Sequence, residues 1–169
     1  MTKSDWKKVM IASGVSIFIG ITVLVYVIVK KKKPLSKRGL KKIISDDLNR
    51  WQNIKETDSK GLEMVKFYWG LLGMNFSTAT LSEQSHRSKY PWSAAYISYV
   101  MKRWGAGDKF NYSPSHSNYI VDAKEERSNP KGNIFKAFRI TEKPVNIGDI
   151  VAVDRGYGIN YDNVYRGAS

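Results

Sequence analysis

Residues 9–29 form an uncharged run of 21 amino acids, and this run constrains the chain more than any other feature. At about 1.5 Å per residue, a helix of that length covers the roughly 30 Å hydrocarbon layer of a bilayer. The run predicts one membrane-spanning helix. It exceeds the apolar region of a usual signal peptide, and no small-x-small cleavage site precedes the lysines that follow, so it is expected to stay on the chain. The sequence then divides into a short basic N-terminus (1–8), the span (9–29), a basic linker (30–42) and one modest domain (43–169).

The formal net charge of +13 suggests a nucleic-acid partner until the charges are located. Residues 1–42 hold 11 of the 28 Lys and Arg but only one of the 15 acids, Asp5, leaving 17 basic against 14 acidic side chains in the rest of the chain. A domain so nearly balanced has no stripe for tracking phosphates, and no nucleic-acid partner is expected. The basic cluster suits anionic headgroups flanking a span, which makes the lipid bilayer the first expected partner. More Lys and Arg follow the run than precede it, which favours a cytoplasmic domain, whereas a cell-wall enzyme needs the periplasmic or extracellular side. The absence of cysteine excludes a thiol nucleophile and cysteine-based zinc sites but says nothing about compartment.

Within the domain, Ile43, Ile44, Leu48, Trp51 and Ile54 recur at roughly helical spacing, as do Leu62, Val65, Trp69 and Leu72 before Gly73. Residues 77–88 are polar and read as a loop. A third helix is expected over 92–104, closed by Gly105, and a fourth after Ser113-Pro114, carrying His116, Tyr119 and Ile120. After the turn residues 129–132, segments 134–140 and 150–153 have strand character. Asp46-Asp47 and Glu125-Glu126 read as solvated helix faces. No phosphate-binding glycine loop, metalloprotease motif or calcium loop is present, so neither cofactor nor metal is expected.

The stretch Tyr90-Pro91-Trp92-Ser93-Ala94-Ala95-Tyr96 bears on chemistry. It resembles the nucleophile helix of the papain-like NlpC and CHAP cell-wall hydrolases, which opens on Trp-Cys-Ala, with Ser93 at the cysteine position. The Trp-Ser-Ala-Ala pattern, the Ser113-Pro114-Ser115-His116 run and the late Gly148-Asp149 are also similar to a bacterial family of domains of unknown function related to that superfamily. The resemblance implies an α+β fold, papain-like, with helices followed by a small antiparallel sheet. It places Ser93 as nucleophile and His116 as its candidate base, with Trp92, Tyr96 and Asp149 at the substrate. His86, in the polar loop, is the other available imidazole, and serine is also an ordinary residue for a helix start.

In papain-like enzymes the histidine stands on a strand after the nucleophile helix. Residues 144–153 resemble the turn and first strand before it, so the histidine strand itself is expected beyond residue 169. The expected function is a membrane-anchored amidase or peptidase directed at peptidoglycan. The alternatives are an inactive relative that binds cell wall or protein, and a membrane-tethered or phage-associated structural component.

Overall fold

The computed structural model describes residues 35–154 and 156–167. By compactness the chain divides into Met1–Lys32 and Lys33–Ser169, and the architecture below is that of the second unit. Its described residues form six α-helices, α1 (Lys37–Trp51), α2 (Ser59–Gly70), α3 (Thr78–Ser82), α4 (Gln84–Lys89), α5 (Ser93–Trp104) and α6 (His116–Ser128), with one 3₁₀ turn at Gly107–Lys109.

Local sequence accounts for most helix boundaries. Ser36 starts α1 by accepting the Gly39 N–H at 3.0 Å. Gly61 lets the start of α2 approach the preceding loop, because a Cβ there would lie 2.0 Å from the Lys55 carbonyl oxygen. Gly105, at φ 92°, ends α5. Its N–H bonds Lys102 O and that of Ala106 bonds Met101 O, a Schellman closure.

The hydrophobic core gathers around α5, which packs on both α1 and α2. Ala94, Ala95, Tyr99, Val100 and Met101 are buried there against Leu40 of α1 and Leu62, Val65, Tyr68 and Trp69 of α2. Leu81 adds a buried contact from α3. On the other side of the domain, α6 is tied in by Tyr119, whose ring lies 5.2 Å from Phe110.

Several expectations need correction. The α+β, papain-like fold is not found, since no strand or sheet occurs among the described residues. Segments 134–140 and 150–153 run as irregular chain instead. The backbone of the first attaches by single bonds, Ile134 N–H to Lys109 O and Ala137 N–H to Ala123 O. Ile140, Val151 and Val153 are exposed, so the apolar alternation has no partner strand or covering layer to reward it. The loop expected over 77–88 holds α3 and α4, which start where Ser77 accepts the Thr80 N–H at 3.0 Å. The fourth helix begins two residues later than Ser113-Pro114 suggests, with Ser115 at its cap.

The membrane assignment also loses its support. Among the described residues no helix is long and apolar enough to cross a bilayer. The longest, α1, has 15 residues and carries seven charged side chains. The run at 9–29 lies outside the described residues.

Candidate functional site

Ser93 is the first residue of α5 and His116 the first of α6. Their side chains meet, with Ser93 Oγ 2.7 Å from His116 Nε2. Both residues are half-buried, which leaves the pair within reach of solvent. No described side chain caps either helix, and two helix N-termini converge on one hydrogen bond. The positive ends of two helix dipoles then favour negative charge at this place.

The start of α5 is held by its aromatic neighbour. Trp92 stacks on Trp51 with ring centroids 5.1 Å apart and 12° between planes. It lies 6.0 Å from Tyr68, and its indole N–H donates to the Glu56 carboxylate. Trp92 thus clamps the first turn of α5 onto α1 and α2. Tyr96, one turn further on, belongs to the same cluster, 5.2 Å from Tyr68 and 6.2 Å from Tyr99. Burial pushes the phenols of Tyr96 and Tyr68 up to about 12, so both stay neutral.

A second serine aligns the histidine side. Ser98, 1% exposed, accepts the Ser113 N–H and donates to the Ser113 carbonyl oxygen, each at 3.1 Å. The Ser113 hydroxyl in turn accepts from Ser115 N–H at 3.0 Å and from the Asn118 amide at 2.8 Å. A short polar chain therefore runs from the middle of α5 through the 113–115 loop to the first turn of α6, and it fixes where His116 emerges.

Behind the histidine stands Tyr119, three residues along α6. Its hydroxyl contacts His116 Nδ1, and the two rings are edge-on at 5.6 Å. Burial pushes its phenol up, so it too is neutral. The sequence reading named Tyr119 only as a residue of the fourth helix; its spacing of three from His116 on that helix was the available signal.

His86 is not part of this arrangement. It is buried between Phe76, at 4.5 Å, and Tyr90, at 5.0 Å, and its Nε2 has no hydrogen-bond partner among the described residues. Asp149 is also elsewhere. Its carboxylate accepts the Asn146 N–H at 2.7 Å and closes its own exposed turn. Beside it, a Cβ at Gly148 would meet Leu40 and Lys37 at 3.8 Å. That part of α1 lies at the opposite end of α5 from Ser93, because Trp104, the last residue of α5, donates to Ser36 O at 2.9 Å. Asp149, expected at the substrate, therefore stands toward the far end of α5 from Ser93.

Asp47, read as solvated, is 0% exposed. It takes the Tyr99 hydroxyl at 3.2 Å and Arg103 at 3.3 Å. Glu126 is covered too, accepting backbone N–H groups of Lys131, Gly132 and Asn133, which hold its carboxyl below the usual range, Lys131 foremost. Among the described residues no group of three or more His, Asp or Glu is placed to hold a metal ion.

Fold and site together define a small α-helical domain, among the described residues, presenting a hydrogen-bonded serine–histidine pair at two helix starts. The chain belongs to the family described as an uncharacterized protein conserved in bacteria (DUF2272), whose model matches residues 46–166. That stretch contains every residue of the site described above. No curated protein and no solved structure matches, and nothing in these comparisons links the chain to the NlpC and CHAP hydrolases.

Proposed function

We propose that this domain is a serine-dependent amide hydrolase directed at the peptides of bacterial cell wall, with Ser93 as nucleophile and His116 as general base. The observation that carries the reading is the 2.7 Å bond between Ser93 Oγ and His116 Nε2. A serine hydroxyl is a weak nucleophile without a base in hydrogen-bond contact, and a positioned base contributes roughly 10²–10⁴-fold. The cell-wall direction rests on the likeness of Trp92-Ser93-Ala94-Ala95 to the nucleophile helix of NlpC and CHAP enzymes.

In the proposed reaction Ser93 Oγ attacks the amide carbon while Nε2 of neutral His116 takes the hydroxyl proton. The first-turn N–H groups of α5 are the donors proposed to meet the oxygen that gains charge, where each such donor typically contributes roughly 10²–10³-fold. His116 then delivers its proton to the departing amine, leaving an acyl ester on Ser93. Water, deprotonated by His116, cleaves that ester and regenerates the hydroxyl. Trp92 and Tyr96 border this end of α5 and are the side chains proposed to meet the substrate.

The test has two arms. A fluorophosphonate probe is expected to modify Ser93, located by peptide mass spectrometry, and the protein is expected to release soluble muropeptides from purified sacculi. Ser93→Ala and His116→Ala should each abolish release to a similar extent, because nucleophile and base act as a unit. Brisk release that survives both substitutions would place the active site elsewhere.

A further inference from the structure

The last described stretch of chain turns back along α6 and reaches its first turn. Lys124 Nζ donates to Tyr161 O, and the Tyr161 ring lies 4.9 Å from that ammonium. Arg166 then bridges Asp122 at 2.5 Å and Glu125 at 2.8 Å, and Gly167 N–H donates to Asn118 Oδ1 at 3.1 Å. Asn118, Asp122 and Glu125 are spaced four and three apart, so they share one face of the helix and residues 161–167 lie along it as a strap. The strap ends on a side chain with a second task. The Asn118 amide donates at 2.8 Å to Ser113 Oγ, which also accepts the Ser115 N–H at 3.0 Å, and the backbone of Ser113 is fixed to Ser98 of α5. Both bonds act on one planar amide, so pulling its oxygen turns its nitrogen. Asn118 thus joins the strap to the loop that delivers His116.

We infer that the 161–167 strap sets the register of the first turn of α6 and so controls the Ser93–His116 pair, with Arg166 as its latch and Asn118 as the positioning residue. With the strap docked, His116 stands at Ser93; with it released, the turn that carries His116 loosens. Small movements suffice, because a misplacement of about 1 Å costs a catalytic arrangement roughly 10²-fold. The latch is ionic, and the Arg166 side chain is 46% exposed, so dissolved salt weakens it. The consequence for Ser93 rests on the function proposed above, whereas the hold on α6 does not.

The test compares full-length wild type with Arg166→Gln, Arg166→Lys and Asn118→Ala. Three quantities are read: hydrogen-exchange protection of residues 116–120 relative to α5, the His116 ring signals in NMR, and the rate of fluorophosphonate labelling at Ser93. Arg166→Gln and Asn118→Ala should each lower protection at 116–120, displace the ring signals and slow labelling several-fold, while circular dichroism shows the helices intact. Arg166→Lys keeps the cation and should restore part of what Arg166→Gln loses. Added salt should slow labelling of the wild type and leave Arg166→Gln nearly unaffected, since its latch is already gone. Protection and ring signals unchanged in Arg166→Gln would overturn the inference, as would Arg166→Lys behaving no better than Arg166→Gln. Protection and ring signals that shift as expected, with no labelling of Ser93 in any of the proteins, would support the strap and sink the hydrolase reading instead.

Discussion

Asp47 keeps a carboxylate inside the domain only because Tyr99 and Arg103 reach it from α5, with Arg50 at 3.6 Å. Removing it strands those groups. Asp47→Ala is expected to cost at least about 1–3 kcal/mol in urea unfolding, the usual penalty for an unmet buried partner, while Asp47→Asn, which still accepts from Tyr99, should cost less. Ser98→Ala strips partners from both the N–H and the C=O of Ser113, and a similar loss of about 1–3 kcal/mol is expected by the same measurement. Neither residue was legible in the sequence. Asp47 sits beside the half-buried Asp46, and a serine within a helix reads as surface; their partners are 52 and 15 residues away. Ser93 and His116 were legible as candidates because their flanking motifs stand in short contiguous runs. Their pairing followed from the resemblance alone, since the contact depends on how the 113–115 loop is anchored.

At the scale of elements, periodicity with a start or stop signal located α2 and α5 to within a few residues and Ser113-Pro114 marked the approach to α6, whereas α1 begins at Lys37, inside the segment read as a basic linker. The same rules failed after α6. An apolar alternation is only half of a strand, the other half being a neighbour to pair with, and 134–140 and 150–153 have none among the described residues. That tail is attached by ion pairs instead. Arg127 grips Glu142 at 2.7 and 3.0 Å, Arg139 bonds Asp162, and Arg166 bonds Asp122 and, at 2.8 Å, Glu125. Arg127 foremost, then the Arg139 N–H, holds the Glu142 carboxyl down to about 2. Since a carboxyl depressed on folding stabilises fully above its ordinary value, this contribution persists above about 4.5 and is lost as the pH falls through about 2. Hydrogen-exchange protection of residues 139–166, taken relative to the intrinsic rate at each pH, is expected to hold at pH 5 and to fall near pH 2. Added salt at neutral pH should loosen the same segment, because these charges are largely exposed.

For the whole molecule the distribution of charge matters more than its sum. With 17 basic and 14 acidic side chains beyond residue 42, a fragment starting at residue 43 is expected not to bind duplex DNA at physiological salt; submicromolar, salt-sensitive binding would contradict this. The uncharged run at 9–29 was the plainest signal in the sequence, yet it concerns a part of the chain separate from the domain that holds the site. The site itself belongs to no single element. Ser93 and His116 are each the opening residue of a helix, and helix ends are the parts that open at the lowest free-energy cost. Warming should therefore silence the pair before it melts the bundle: opening of the first turn of α6 draws His116 away while Trp69 and Val100 remain packed. Inactivation and unfolding would then be two separate events on a temperature scale, with the chemistry failing first.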